Sequence, residues 1–517
     1  MTTRHLLFFL AGYLLIYGIL FHGFQFVMDP DATGYFSVAE KIVRGNYFDS
    51  VNGIWSPLSS WILVPFLKFG LDPIISAKLL NGFYGFISVW IFFSIIKKFK
   101  IDFFIEISLM VGVVLLLIDF AFSRLFADML LVLILLIYLN ILCNENFGKN
   151  YRSIIWIAII GALGFYAKAY TFYFVLIHLP LTILIIDNKK TDRLFSIISW
   201  KKIVAFLLVF LFVTSFWLIA LNNKYGHYVI GQKNISGTIT DIYHPKRVVV
   251  SVPPEGDYAI FDDISNLDTQ NLTPFTNWRT FIVQAKITIV NIVFLIGAFN
   301  EFSFAFILIL LIFLYFILSR NSLLYSSKKM LILISFVALW PLGFLLFSIQ
   351  SRFIWIEDII VMLLCGILLS KSFDSGLMKN RLLYFFSFII ISSFYIYPLW
   401  ELKRQYREGK NLFDIAAALK QNNINGKMMA GFKSSDDYSN SIMINYLNHS
   451  KYYGPYTHNA SMNEISEAIK TFHIDYYIFY YATAFEKDSF LNSSLTTQAA
   501  HIYDNLYPGI IVLTFKY

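Results

Sequence analysis

Apolar runs close to the length of a membrane span recur along most of the sequence and limit what the chain can fold into. About 20 apolar residues in a helix cross the hydrocarbon layer of a bilayer. Only 14% of the 517 residues are charged and 57% are hydrophobic, whereas soluble domains carry roughly 25% charged residues. The pattern predicts an all-α polytopic membrane protein with eleven spans, near 6–27, 76–96, 103–118, 125–143, 153–167, 171–186, 203–221, 303–319, 330–348, 353–370 and 382–399.

Clusters of lysine and arginine between these spans set the expected orientation, because positive charges collect in short cytoplasmic loops. If the N-terminus is cytoplasmic, five clusters fall on the cytoplasmic side: 97–100, 149–152, 189–202, 326–329 and 371–381. We assign the formal charge of +8 to these loops and expect no nucleic-acid partner. An odd number of spans then places the C-terminus outside. The tail carries no eukaryotic retention signal, so we expect a bacterial inner membrane.

The composition of the chain changes near its last span. Residues 1–399 form the expected transmembrane domain, with outer loops at 28–75 and 222–302, and the second loop is expected to be an ordered flap. Segment 281–299 is apolar, but a span there would put the next basic cluster outside. We therefore expect it to lie flat on the outer surface or to be re-entrant. Residues 400–517 alternate amphipathic helical patterns with short β patterns, which predicts a small extracytoplasmic α/β domain.

Two carboxylates stand where the first span ends. Asp29 and Asp31 precede an amphipathic helical pattern that contains Tyr35, and Asp31 is of the type expected at the N-cap of that helix. A plain Asp-Pro turn at the membrane surface would also explain these acids. The aromatic stretch 53–70 is suited to lie in the membrane interface. The loop is therefore expected to present a carboxylate on helices that lie close to the bilayer.

Further charges fall on the same expected side of the membrane. Arg124 precedes Asp128 by one turn at the start of the fourth span, and the two could form a simple ion pair. Lys168 lies between two apolar segments on the outer side, where positive charge is uncommon. A lysine at an interface can also extend its amine toward water, which leaves a structural interpretation open.

A last charged loop joins two C-terminal spans. It contains Gln350 and Arg352, and the arginine could pair with Glu357 or Asp358 of the next span. Taken together, acids and cations converge on the outer rim of a helix bundle. A carboxylate can act as a general base on a hydroxyl, and Arg or Lys can hold a phosphate and stabilise the charge that grows as it leaves. We therefore expect a lipid-linked phosphosugar as substrate.

These motifs resemble the membrane glycosyltransferases of GT-C fold, in the branch that includes the protein O-mannosyltransferases and the bacterial aminoarabinose transferase of lipid A. The resemblance covers about residues 1–370. One departure is Ala32, which stands where the branch often has Glu. The matching residues are Asp31, Tyr35, Ala39, Gly45 and Ser56–Leu58 in the first loop, Arg124 with Asp128, the segment "GALGFYAK" that ends at Lys168, and "QSRF", in which Phe353 replaces Tyr.

The resemblance implies the inverting transfer of one sugar from a polyprenyl-phosphate-linked donor to an extracytoplasmic acceptor, which is a lipid, a glycan or a protein. Relatives differ in whether they use a divalent metal, so a metal stays open and no cofactor is assigned. The site implied by the resemblance consists of Asp31 as the catalytic carboxylate, Asp29 as its substitute and Asp128 as the second acid, with Lys168, Arg352, Arg124, Tyr35 and Gln350 as substrate-binding residues.

Other classes of membrane protein also act on lipid-linked sugars. A transporter or flippase would need many spans and buried charges, but the sequence has neither repeated halves nor a matching pair of Gly/Pro-broken spans. An O-antigen ligase or polymerase would carry its large loop later in the chain, and an oligosaccharyltransferase would carry a larger soluble domain. Transport without glycosyl transfer stays open as the alternative, as do the identities of the sugar and of the acceptor.

Overall fold

Helices make up most of the computed structural model, and each of the eleven predicted apolar segments contains one. Much of the expected flap at 222–302, namely residues 232–249, 251, 254–256 and 260–273, lies outside the described residues, as do parts of three of the basic clusters. The structure describes residues 1–125, 127–187, 197–231, 250, 252–253, 257–259, 274–319, 327–374, 380–431, 434–454 and 461–517.

The helices of the described residues fall into three groups along the chain. The first group runs from the N-terminus to Tyr225: α1 (Thr3–Phe24), α2 (Pro30–Val43), α3 (Tyr47–Ser50), α4 (Pro57–Lys68), α5 (Pro73–Ile96), α6 (Phe103–Ser123), α7 (Ala127–Leu142), α8 (Tyr151–Ala167), α9 (Thr171–Asp187) and α10 (Ile197–Tyr225). The second completes the bundle: α11 (Trp278–Phe302), α12 (Ala305–Leu318), α13 (Lys328–Leu339), α14 (Trp355–Asp374) and α15 (Asn380–Gln405). The third packs on a sheet: α16 (Lys410–Gln421), α17 (Ser435–Leu447), α18 (Met462–Phe472) and α19 (Ala484–Leu491).

The chain is a multi-pass membrane protein. Among the described residues, eight helices are long and apolar enough to cross a bilayer, and four further apolar helices of 10–17 residues accompany them. In an apolar 18-residue stretch of the span Ser351–Phe373, 83% of the residues are buried, whereas the corresponding stretch of Thr3–Phe24 has 28% buried. The helix that follows Arg352 therefore lies at the centre of the bundle, and α1 lies at its periphery, with much of its apolar surface exposed.

Contacts between loops define two ends of the bundle. At one end Lys329 Nζ donates to the carbonyl oxygen of Lys98 (3.1 Å) and pairs with Glu145 (3.0 Å). The N-terminal amine lies 2.7 Å from Glu106 Oε2 at this end as well. We call it the basic end, because the described parts of the basic clusters gather there. The opposite end carries Asp31, Lys168 and Arg352 and is called the site end.

Helix α11 contains the segment 281–299, whose placement the sequence left uncertain. It has 25 residues, enough to cross a bilayer. However, Gln284 and Asn291 donate to the carbonyl oxygens of Leu346 (3.0 Å) and Leu345 (2.9 Å). Glu301 accepts from Ser351 (3.1 Å). All three contacts go to one short stretch at the site end, which favours a helix along that end. Its position relative to the bilayer stays a prediction.

A five-stranded sheet follows α16. The predicted order of helix, turn and strand is confirmed twice, in α16 with β1 and in α18 with β3, because amphipathic helices alternate with short apolar strands. The three first strands pair in parallel and β5 pairs with β3 and β4 in antiparallel fashion, in the order β2-β1-β3-β5-β4. The strands are β1 (Lys427–Gly431), β2 (Lys451–Tyr452), β3 (Tyr476–Tyr480), β4 (His501–Tyr503) and β5 (Ile510–Thr514).

The sheet unit docks on α2. Tyr446 of α17 stacks on Phe36 with ring centroids 5.3 Å apart, and its hydroxyl donates to Glu40 (2.9 Å). Tyr258 also donates to Glu40 (2.8 Å), and its carbonyl oxygen accepts from Tyr452 N (2.7 Å). Tyr258 of the long loop thus lies between α2 and the sheet, and it joins the first outer loop to the C-terminal unit.

Candidate active site

Asp31 lies in the first turn of α2, at the site end. The helix begins at Pro30, with Asp29 as its N-cap residue in an extended conformation. The expectation that Asp31 caps this helix is therefore wrong. Proline is favourable as the first helical residue, and it moves the start two positions earlier. The Asp31 carboxylate instead lies within the first turn, where the helix dipole attracts negative charge.

Two acids and two cations form one network at the site end. Arg352 Nη2 lies 2.5 Å from Asp31 Oδ2, and Arg352 Nη1 lies 3.6 Å from Asp128 Oδ2. Lys168 Nζ pairs with the other oxygen of Asp128. The side chains of Arg352 and Asp128 are 12% and 10% exposed, so these charges are largely withdrawn from water. Residues far apart in the sequence thus share one partly buried cluster, in which the formal charges cancel.

Short, irregular backbone holds both cations. Lys168 follows α8 in an extended conformation, with its N–H bonded to Gly164 O (2.8 Å). Arg352 lies in the 3-10 helix Ser351–Ile354, and its Nε donates to Gln350 Oε1 (2.7 Å). The ring of Phe353 lies 4.2 Å from Lys168 Nζ and 5.3 Å from Arg352 Cζ. An aromatic face at these distances attracts both cations, so Phe353 contributes to holding them on the same side of the site.

The amine of Lys168 has an altered acidity. Burial lowers its pKa below the ordinary value, and the neighbouring Arg352 adds to this effect, while Asp128 opposes it. Removing a cation from water disfavours its charged form, and a second cation nearby does the same. Further negative charge beside the amine would oppose this lowering of its pKa, as Asp128 does.

Tyr35 lies one turn after Asp31 on α2. Its ring contacts Trp55 at a centroid distance of 5.1 Å and is 7% exposed. Gly34 lets the Trp55 indole lie directly against the helix, since a side chain at this position would collide with the ring. Burial, with Asp128 and Asp31 nearby, raises the pKa of the Tyr35 phenol well above its ordinary value. The phenol therefore keeps its proton and is a neutral hydrogen-bond donor beside the acids.

Asp29 occupies a different place from Asp31. It is 3% exposed, and its Oδ2 accepts from the backbone N–H of Leu125 (3.0 Å), in the connection between α6 and α7. Burial raises the pKa of this carboxyl, against the opposing effects of Arg124, Arg352 and the Leu125 amide. The contact ties the first loop to the α6–α7 connection. Asp31, in contrast, lies in the network with Arg352.

Two ion pairs that the sequence left open are absent from the described residues. Arg124 lies on the same side as Asp128, but Asp128 pairs with Lys168 and Arg352 instead. The reason is that α7 begins only at Ala127, after an extended Arg124, so the two residues do not share a helix face. Arg352 likewise pairs with Asp31 and not with the next two acids in sequence, Glu357 and Asp358, which are fully buried in α14.

A polar cavity of about 470 Å³ opens beside the Asp31–Arg352 pair. Ligand cavities of small molecules commonly measure about 300–1,000 Å³. The cavity is lined by Pro30, Asp31, Ser123, Arg124, Gln350, Ser351, Arg352, Trp355, Tyr397, Glu401, Arg404 and Gln405.

The sequence pointed to part of this lining and missed the rest. Asp31, Arg124, Gln350 and Arg352 are predicted site residues. The contribution of α15 was missed, because charges that follow the last apolar segment look like ordinary flanking residues of a span. A helix that carries acid and base three residues apart, as in "ELKRQ", offers a weak signal that was available.

The side chains of the site decide whether it could hold a divalent cation. Within the ranges that the structure describes, no group of three or more His, Cys, Asp or Glu side chains is arranged to hold a metal ion. Asp31 and Asp128 are each bonded to cationic side chains. This arrangement does not fit a divalent metal.

The chain is similar to known proteins in its structure. The sequence matches no protein-family model and no curated protein. ArnT from Cupriavidus metallidurans bound to undecaprenyl phosphate superposes with a TM-score of 0.55 at 11% identity, over 99% of this chain and 98% of that one. The oligosaccharyltransferase of Archaeoglobus fulgidus in its apo form superposes with a TM-score of 0.52 at 12% identity, over 92% of this chain and 69% of that one.

These two neighbours share one fold, that of the GT-C membrane glycosyltransferases. The likeness extends over nearly the whole of the present chain, including the C-terminal sheet unit in the case of ArnT. At such low identity it establishes the architecture. The expected fold class is therefore confirmed: the chain is a polytopic membrane protein of GT-C fold with a small α/β unit at its C-terminus.

Proposed function

We propose that the protein is a glycosyltransferase that moves a sugar, with inversion, from a polyprenyl-phosphate-linked donor to an acceptor hydroxyl. The observation that carries this proposal is the single network of Asp31, Asp128, Lys168 and Arg352 at one end of a GT-C bundle. The structure of ArnT bound to undecaprenyl phosphate supports the donor class, since that protein has the same architecture. The acceptor class, lipid, glycan or protein, stays open.

The donor phosphate is assigned to Lys168 and Arg352. Both cations are partly buried, so their attraction for a phosphate is stronger than it would be in water. In the described arrangement Arg352 is paired with Asp31. An incoming phosphate would compete for the guanidinium and thereby release the Asp31 carboxylate for the acceptor. Binding of the donor would in this way prepare the base.

Asp31 is assigned as the general base. The acceptor oxygen forms a bond to the anomeric carbon, and the bond from that carbon to the phosphate oxygen breaks. The proton of the acceptor goes to Asp31, and the bonding electrons leave with the polyprenyl phosphate, whose charge Lys168 and Arg352 stabilise. Attack on the face opposite the leaving phosphate inverts the configuration.

Asp128 and Tyr35 are assigned supporting roles. Asp128 contacts both cations and so holds them near one another. Tyr35 offers a neutral donor beside the acids. Gln350 orients Arg352 through its hydrogen bond to Nε. We propose no catalytic role for Asp29, because its carboxylate is engaged by the Leu125 amide.

The proposed orientation of the protein in the membrane follows from the lysines that gather at the basic end. Lysine-rich loops stay in the cytoplasm, so the N-terminus would be cytoplasmic and the site end, with the C-terminal sheet unit, would face outward. We propose a bacterial inner membrane as the location. The long apolar surface of the bundle would let an isoprenoid chain approach the site from within the bilayer.

The test uses the purified full-length protein with radiolabelled polyprenyl-phosphate sugars and cell membranes as the source of acceptors. A glycosyltransferase is expected to place the label in a new glycoside and to release polyprenyl phosphate. The matched variant Arg352→Gln is expected to lose this activity, while Lys149→Gln at the basic end is expected to keep it. Movement of labelled lipid across vesicles without a new glycoside would contradict the proposal and favour a transporter.

A further inference from the structure

The charges that line the polar cavity do not cancel. The lining contains three arginines and two acids. Arg352 is paired with Asp31 within the network already described. Arg404 is paired with Glu401. Arg124 has no carboxylate within ion-pair distance among the residues that the structure describes. The lining residues therefore carry one formal positive charge in excess, and Arg124 has only longer-range electrostatic interactions with Asp29 and Glu401.

The backbone of Arg124 is held on both sides. Its carbonyl oxygen accepts from Asn81 Nδ2 (2.7 Å), and the next amide, of Leu125, donates to the buried Asp29 (3.0 Å). The guanidinium, in contrast, lies in an exposed residue that lines the cavity. A cation on a fixed backbone with an unengaged head group is preorganised for an anionic ligand.

The opposite wall of the cavity is also held in place by hydrogen bonds. Glu401 is 7% exposed, and it accepts from Arg404 Nε (2.9 Å) and from Gln405 Nε2 (2.5 Å). Arg404 lies in the last turn of α15, where the helix dipole favours a cation. One acid thus orients an arginine and an amide along the cavity edge, within reach of the same space as Arg124.

We infer that this cavity is an acceptor subsite that takes a phosphate or carboxylate group of the acceptor, with Arg124 and Arg404 as its recognition residues. The inference rests on the proposed function. The polar lining does not suit the isoprenoid chain of the donor, and the donor phosphate is already served by Lys168 and Arg352. Asp31 borders both regions, so an anion held in the cavity would bring an adjacent acceptor hydroxyl to the base.

The test is a binding measurement on the purified full-length protein in detergent, with inorganic pyrophosphate as the probe. Calorimetric titration is carried out with and without saturating undecaprenyl phosphate. Pyrophosphate is expected to bind in both cases, because Arg124 and Arg404 would hold it while Arg352, which borders both regions, serves the donor phosphate. Arg124→Gln and Arg404→Gln are expected to weaken pyrophosphate binding at least tenfold and to change undecaprenyl phosphate binding less than twofold.

Two further variants keep the result interpretable. Glu401→Gln removes the acid that partly neutralises the cavity and is expected to tighten pyrophosphate binding, an effect that a misfolded protein could not produce. Lys149→Gln, at the basic end, is expected to bind as the parent does. Loss of pyrophosphate binding when undecaprenyl phosphate is present would overturn the inference, since the cavity would then belong to the donor. Equal binding by the parent and both arginine variants would overturn it as well.

The two proposals fail in different ways. Absence of glycosyl transfer in the activity measurement would contradict the proposed function and leave both binding results standing. Pyrophosphate binding that ignores Arg124 and Arg404 would contradict the acceptor subsite and leave the transferase assignment intact.

Discussion

Arg352 is the residue that links the two acids of the site. It contacts Asp31 at 2.5 Å and Asp128 at 3.6 Å, and it borders the polar cavity. Burying several charges is costly unless each one is paired, and removing one partner leaves another uncompensated. Under the proposed function, a donor phosphate would take the place of a carboxylate beside Arg352 without a net loss of pairing.

Sequence patterns located the charged residues of this network but not its pairings. Asp31 and Arg352 are 321 positions apart, and no periodicity connects residues at such separation. The nearest acids in sequence suggested the wrong partners for Arg124 and Arg352. Local spacing reports helix faces, whereas these pairings depend on which loops meet at the end of the bundle.

Replacement of Asp29 by Asn is expected to flatten the dependence of stability on pH. The folded protein raises the pKa of the Asp29 carboxyl above its ordinary value of 3.8 through burial. This acid therefore favours the folded state at low pH, and its contribution is lost as the pH rises through the raised pKa. The amide oxygen of Asn can still accept from Leu125. Thermal unfolding of parent and variant, measured by circular dichroism from acidic to neutral pH, checks this.

At neutral pH the Asp29→Asn variant should be at least as stable as the parent. A variant that is markedly less stable at neutral pH, with an unchanged pH profile, would show that the ionised carboxylate is required.

Helix α2 connects the candidate base to the C-terminal unit. Its first turn carries Asp31, and its second half is held by Glu40 and Lys41 through contacts with Tyr258, Tyr446 and Asp257. Gly45, with a φ of 86°, ends the helix in the left-handed conformation that glycine adopts readily. The sheet unit is therefore positioned to fix the direction of α2.

Predictions at the level of elements succeeded where the pattern was local. The amphipathic period of α16 and α18 and the apolar strands that follow them are visible in short windows. The antiparallel pairing of β5 with β3 was not predictable in the same way, because a register depends on distant residues. Segment 281–299 was ambiguous, since its length and composition alone also suit a span.

Removal of the Asp257 carboxylate is expected to destabilise the protein strongly. Asp257 pairs with Lys41, and the two side chains are 1% and 3% exposed. Asp257→Ala leaves a buried lysine without its partner, at a cost of about 3–5 kcal/mol. The matched change Asp414→Ala breaks an exposed pair with Lys410, whose side chains are 41% and 51% exposed, and is expected to cost at most about 0.5 kcal/mol. Thermal stability in detergent provides the comparison.

Transfer activity should fall in the Asp257 variant even below its melting temperature, because α2 loses a contact that orients Asp31. Equal stability of the two variants would contradict this view of the α2 junction.

The whole molecule separates its charges between two ends. Loop contacts gather lysines with the N-terminus at the basic end, and the mixed acid–cation network lies at the site end. This separation is predictable from the sequence, because the distribution of lysine and arginine among loops is a global signal. The polar cavity is not predictable in this way, because its lining combines four separate segments of the chain.

The proposed orientation predicts that the two ends label from opposite sides of the membrane. Cys143 and Cys365 are buried and should give little background. Asp49→Cys, in the exposed first loop, should react with an impermeant maleimide in intact spheroplasts, and Lys149→Cys should react only in inverted vesicles. Labelling of both positions from one side would contradict the orientation.

The most direct test of the account measures donor binding and transfer for Asp31→Asn, with Asp49→Asn of the same loop as control. If Asp31 is the base and Arg352 serves the phosphate, the variant binds the polyprenyl-phosphate sugar as well as or better than the parent, because Arg352 is released from its acid. Its transfer rate should fall roughly 10²–10⁴-fold, and the control should match the parent. Transfer within tenfold of the parent, with donor binding intact, would contradict the central claim.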